Sequence, residues 1–251
     1  MIRFFRKKHQ EISNQNNISK YLRYAIGEIF LVVIGILIAL QINNWNEEQK
    51  AIKEEIIILK ELKNSITTDI QQLNNLHRQG DEDIVSSKAI LNWIEDKVAY
   101  NDTLEHHLTI LSKAGQVKLF TPQNSAYKVL ESKGIDLISN LALKNQILDL
   151  YNIEYPKLNF EYENYRQNVV DFGRPIARSS FRINGKLGAA GNVGSLTLVP
   201  VHIGDLKKNI EFYNTIKVLQ LNNESINLII TRVLARCQKI KTFIGQEIGN
   251  K

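Results

Sequence analysis

The sequence predicts an all-α protein: an N-terminal transmembrane helix continuing into a long extracytoplasmic helix, packed in a helical bundle with one Gly-rich loop or small hairpin. Three observations predict it. Tyr24 to Trp45 is an apolar run with one charge, a heptad spacing continues beyond that run, and the same spacing returns from Phe212 to Ile244. The expected divisions are a basic cytoplasmic arm (1–23), a membrane span (24–45) and a periplasmic helical domain (46–251).

The run reads YAIGEIFLVVIGILIALQINNW, and Glu28 is its one charged residue. As a helix rising 1.5 Å per residue it is about 33 Å long, enough for a hydrocarbon core of about 30 Å. A cleaved signal would need small residues at a cleavage site, and here the run ends in Leu40-Gln41-Ile42-Asn43-Asn44-Trp45. Arg23, Tyr24 and Trp45 stand at its two ends, where cationic and amphipathic aromatic side chains mark membrane interfaces. Glu28, Gly35 and Ala39 form the expected helix-packing face, with a carboxylate and two small residues that allow close backbone approach.

Charge sets the orientation. Of 32 Lys+Arg and 26 Asp+Glu, six basic residues and one acid precede Tyr24, which leaves 26 against 25 for the rest. The excess therefore lies in the arm, and the positive-inside rule places that arm in the cytoplasm and the long C-terminal part across the membrane. Nucleic acid is not an expected partner, because binding it needs basic residues gathered on a folded face. Ile2, Phe4 and Phe5 beside Arg3, Arg6 and Lys7 suit either a solvated arm or one lying on anionic lipid.

The string YAIGEIFLVVIGILIALQINNWNEE, preceded by Phe4-Phe5-Arg6-Lys7, resembles the opening of an uncharacterised family from Bacteroidota, domain of unknown function 6090. FTPQNSAYKVLESKGIDLISN, Phe120 to Asn140, is similar to the family's middle segment. The resemblance implies a bacterial single-pass inner-membrane protein. It implies no activity, ligand or functional residue.

Steps of three and four from Glu28 pass Leu31, Gly35, Ile38, Ile42, Trp45, Gln49, Ile52, Ile56, Leu59, Lys63, Ile66, Ile70, Leu73 and His77. They predict one helix of about 75 Å over those positions, with polar interruptions at Gln49, Lys63 and His77. A turn is expected at Gly80, then a helix from the acidic Asp81-Glu82-Asp83 to about Val98. Asp102 is the expected cap of Thr103 to Leu111, and Asn124 or Ser125 of Ala126 to Lys133, which Gly134 stops. Leu141 to Tyr151 reads as a further helix. Tyr155, Leu158, Tyr162, Tyr165, Val169, Phe172 and Ile176 mark another that begins beside Pro156.

Phe181 to Gly204 is the one non-helical stretch, with a possible Asn184-Gly185 turn and a strand at Ser195–Val199. Asp205 is the expected cap of the last helix, whose stripe is Phe212, Ile216, Leu219, Asn223, Ile226, Ile230, Val233, Cys237, Ile240 and Ile244. Runs such as Ile56-Ile57-Ile58-Leu59 are too broad for a bare coiled-coil seam. They favour an intrachain bundle.

Catalytic patterns are absent from the sequence, and no enzyme, cofactor or metal is expected. Gly185-Lys186-Leu187-Gly188-Ala189-Ala190-Gly191 lacks phosphate-loop spacing, and His106-His107 lacks a third local ligand. Cys237 has no activating neighbour in sequence and reads as a small core residue. Two functions remain. One is a membrane-anchored structural or interaction module with the lipid bilayer and an envelope protein, or a second copy, as partners. The other is a sensor or small apolar ligand-binding module that uses the aromatic helix and the Gly-rich loop.

Overall fold

Heptad burial organises the bundle. The computed structural model describes residues 18–114, 119–187 and 193–251. The basic arm ahead of residue 18 and the glycines at 188 and 191 lie outside them. The chain divides into two units, Met1–Glu54 and Glu55–Lys251.

In the first unit, the helix α1 (Ile18–Ile94) carries the apolar run. It is the one helix, among the described residues, long and apolar enough to cross a membrane, with a mean hydropathy of 2.5 over its best window. Its apolar side chains face outward, Leu31 at 70 % and Phe30 at 65 % exposure. That arrangement suits a hydrocarbon solvent and would be costly in water.

In the second unit, α1 is continuous through Gly80, where the sequence predicted a turn. Glycine costs about 1 kcal/mol inside a helix relative to alanine, which a close packing contact offsets. A Cβ on Gly80 would lie 2.3 Å from the amide oxygen of Asn227, so the glycine is there to let a neighbouring helix approach. That neighbour is the last helix. A short α2 (Asp102–Ala114) follows α1, and α3 (Ser125–Lys133) ends at Gly134, whose φ of 103° suits only glycine. The amide of Leu104 bonds the Asn101 side chain, so Asn101 caps α2 where Asp102 was expected.

Leu141 to Ser180 is one helical run: α4 (Leu141–Asp149), a π turn at Leu150–Glu154, α5 (Tyr155–Asn168), a π turn at Val169–Gly173, and α6 (Arg174–Ser180). Pro156 and Pro175 each stand two residues beyond a π turn. A proline has no N–H for the carbonyl four residues back and its ring crowds that carbonyl. Widening the preceding turn removes the clash without ending the helix. The second π turn also advances the phase. Tyr155, Leu158, Tyr162, Tyr165, Val169 and Ile176 are buried as predicted, whereas Phe172, inside the turn, is 53 % exposed.

The strands β1 (Phe181–Leu187) and β2 (Val193–Pro200) pair antiparallel. Asn184 and Gly185 oppose Thr197 and Leu196, so the expected Asn-Gly turn is strand instead. The cause is the length of the extended run at Val193–Pro200, which draws all of Phe181–Leu187 into pairing. A short α7 (Ile203–Lys208) precedes α8 (Ile210–Gly249). Asn209 caps α8 through the amides of Glu211 and Phe212, displacing Asp205 from that role.

Every predicted position of the α8 stripe, from Phe212 to Ile244, is buried. It packs antiparallel on α1: Lys251 meets Glu55, Thr231 meets His77, Asn227 meets Asp81 and Glu224 meets Lys88. On α1 the buried seam is Glu55, Leu59, Leu62, Ile66, Asp69, Leu73, Leu76 and Gly80. The predicted register shares Leu59, Ile66, Ile70 and Leu73, all buried, but it put Ile56, Lys63 and His77 where Glu55, Leu62 and Leu76 belong and passed over the buried Asp69 beside Ile70. Acids at 55 and 69 hide the true register, because apolar residues stand beside them at 56 and 70. One cluster gathers this seam with α3, α4 and α5, and a second gathers Ile90, Trp93, Leu104, Leu108, Phe181, Leu206 and Phe212. The intrachain bundle is observed.

The register predicts an asymmetry. Leu62→Ala should cost about 2–5 kcal/mol of unfolding free energy and Lys63→Ala less than about 1 kcal/mol, by denaturation of the detergent-solubilised chain. Equal costs would contradict the seam.

Candidate functional site: polar groups inside the seam

A heptad seam that buries two carboxylates needs a reason, since an unpaired buried charge is strongly destabilising. Glu55 is 3 % exposed and Asp69 is sealed. Each is satisfied by groups from other elements.

Glu55 accepts from the amide and hydroxyl of Ser139, at 3.0 and 3.1 Å, and from the Lys251 ammonium at 2.6 Å. Lys251 also meets Glu247 at 3.4 Å and Ser139 Oγ at 2.8 Å, while Asn140 donates to Glu247 at 2.7 Å. One side chain of α1 thereby fastens the connector ahead of α4 and the end of α8.

Asp69, two heptads on, accepts from the Gln123 amide at 2.8 Å and the Tyr155 hydroxyl at 2.9 Å. The first bond fastens the connector ahead of α3, and the second fastens α5. Tyr155 Oη also lies 3.4 Å from Cys237 Sγ on α8. Phe120, Tyr127 and Tyr151 enclose this chain, Tyr127 stacking on Tyr151 at 4.4 Å and Phe120 meeting Tyr155 edge-on at 4.9 Å.

Burial governs the titration of these groups. It raises the Asp69 carboxyl above its usual value, against the two hydrogen bonds that lower it. It also raises the Tyr155 hydroxyl and pushes the Cys237 thiol up to about 11. At neutral pH that thiol is protonated and shielded, which is the inert condition for a cysteine. The Asp69 arrangement therefore ties one connector to α1, α5 and α8, with Asp69, Tyr155 and Cys237 buried at its centre.

Most of the aromatic residues that suggested a ligand pocket are core: Tyr151, Tyr155, Tyr162 and Tyr165 are buried, and Phe160 and Phe172 point outward. A surface hollow of about 400 Å³ beside α8 is lined by Gln238, Lys239, Thr242, Phe243 and Gln246, none of which belongs to that set. His107 bonds Ser86 at 3.1 Å, and burial lowers its pKa. Among the described residues no three His, Cys, Asp or Glu side chains gather as metal ligands.

The residues expected at the span's ends and packing face all lie on α1. Arg23, Tyr24, Glu28, Gly35, Ala39 and Trp45 are all exposed, and a Cβ on Gly35 would meet nothing within 4 Å. The sequence reading missed Glu55, Asp69, Ser139 and Lys251. A signal existed, for Glu55 and Asp69 sit fourteen residues apart, an even number of heptads.

Asp69 makes stability depend on pH. A carboxyl whose folded pKa is raised binds its proton more tightly in the folded chain, so its contribution is fully present below about 3.9 and is lost as pH rises through the folded value. Asp69→Asn should flatten that part of the stability–pH profile measured by thermal unfolding. An unchanged slope would contradict the burial of an ionisable group there.

No curated protein and no solved structure matches the chain. The family of unknown function DUF6090 matches residues 28–187, from near the start of the apolar run through α1 to β1. That match takes in Glu55, Asp69, Ser139 and Tyr155, and on its extent the chain belongs to this family.

Proposed function

We propose that the chain is a membrane-anchored helical interaction module of the bacterial envelope, without catalytic activity of its own. It crosses the inner membrane once, with its arm in the cytoplasm and the bundle in the periplasm. The observation that carries this reading is the outward-facing apolar stretch of α1, continuous in one helix with the buried seam of the bundle. A bundle whose polar groups are used to fasten its own connectors supports a mechanical or docking role over a chemical one.

Within the membrane, Glu28 and Gly35 lie two turns apart on one face, with Ala39 one turn further. This face is the proposed contact for a second copy or a partner span, because small residues admit a close backbone and a carboxyl in lipid gains from a hydrogen bond. The alternative, sensing of a small apolar ligand by the aromatic helix and the Gly-rich loop, has less support, since Tyr151, Tyr155, Tyr162 and Tyr165 are buried in the core.

Two measurements test the reading. An alkaline phosphatase fusion at Lys251 should be active, and an inactive fusion paired with an active cytoplasmic reporter would reverse the topology. Glu28→Ala and Gly35→Leu should each shift the detergent-extracted complex to a smaller species on native gels. Unchanged migration of both variants would reduce the span to a simple anchor.

A further inference from the structure

Charge is unevenly spread over the bundle. From Phe172 to Ile210 there are six basic residues and one acid, Asp205, whereas the rest of the chain beyond Tyr24 is net acidic. The backbone explains where these cations point. Ile176 is buried on α6, so Arg174 and Arg178, two residues to either side and about 200° around the helix, face outward and are exposed.

In β1 the alternation continues the division. Phe181 is buried against Phe212, ring centroids 5.9 Å apart, and its neighbour Arg182 is exposed on the opposite face. Arg182 opposes Val199 in the ladder, and the amide of Val201 bonds Ser180. Val199, Val201 and Ile203 are 37 %, 51 % and 37 % exposed. None of the three arginines pairs with a carboxylate among the described residues. Lys207 is different, because it bridges Asp96 beside Trp93.

We propose that the outer face of α6 and the β1–β2 hairpin, formed by Arg174, Arg178, Arg182, Val199 and Val201, docks on an anionic lipid surface. Unpaired cations of one sign match a negatively charged headgroup layer, and the exposed aliphatics beside Arg182 suit the acyl boundary. An acidic protein would satisfy the charges. A headgroup layer over acyl chains answers both the cations and the exposed Val199 and Val201. The surface lies beyond the docking role proposed above and does not depend on which protein the span recruits.

The full chain, with Arg3, Arg6, Lys7 and Lys8 changed to Gln as a common background, is placed in phosphatidylcholine nanodiscs. It is then floated with vesicles of phosphatidylcholine alone or mixed with phosphatidylglycerol. Capture of the anionic vesicles only is expected, weakening about fivefold for each of Arg174→Gln, Arg178→Gln and Arg182→Gln and falling with salt. Arg182→Lys should retain capture and Val201→Ser should reduce it. Absent capture, or capture unchanged in the triple Gln variant, overturns the proposal. So does binding of soluble polyglutamate without vesicle capture, which would mark the face as one for acidic protein.

Discussion

The bundle depends on the antiparallel packing of α1 against α8, and above all on the desolvation of the side chains between them. Leu59, Leu62, Ile66 and Leu73 from one helix and Ile230, Val233, Cys237, Ile240 and Ile244 from the other are sealed or nearly so. A fully buried Leu or Ile contributes about 1.5–3 kcal/mol relative to exposure. A seam of this kind tolerates sliding, because one heptad of leucines resembles the next. Glu55 and Asp69 remove that freedom. Each carboxylate finds its partners, Ser139 with Lys251 and Gln123 with Tyr155, in one register alone. Gly80 against Asn227 fixes the same register sterically. The buried acids cost desolvation and return specificity, the use of buried polar groups best attested in coiled coils.

A second constraint comes from the prolines of the central run. Pro156 and Pro175 ordinarily end helices, yet Leu141 to Ser180 stays helical because each preceding turn is widened. The first π turn brings Leu150, Tyr151, Glu154 and Tyr155 to the core together, which places the Tyr155 hydroxyl on Asp69. The second turns Phe172 outward and delivers Ile176 and Phe181 to the smaller second cluster. Local strain in the sequence thus decides which aromatic side chain reaches the buried carboxylate.

Much of the fold was legible where one period ran unbroken. The α8 stripe, the aromatic helix up to Val169 and the all-α class follow from apolar spacing alone, and the membrane-length run from its composition. Spacing failed where a residue's role is set by a partner far along the chain. Gly80 reads as a breaker until Asn227 is seen against it, and Glu55 reads as solvated until Ser139 and Lys251 surround it. The buried polar site was therefore invisible in the apolar pattern, since its acids displace the apparent seam by one residue. The Asn184-Gly185 pair shows the same limit, for a strong local turn signal yields to a longer ladder.

Cys237 provides the most direct test of an intrachain seam. If α8 paired in parallel with a second copy, the two Cys237 thiols would face one another within reach of a disulfide. In the structure Cys237 is sealed against Tyr155 and its pKa is pushed up to about 11. Membranes quenched with a thiol-blocking reagent before lysis and run on non-reducing gels should give a monomer whose thiol reacts only on unfolding. A Cys237-dependent dimer band would contradict the intrachain bundle.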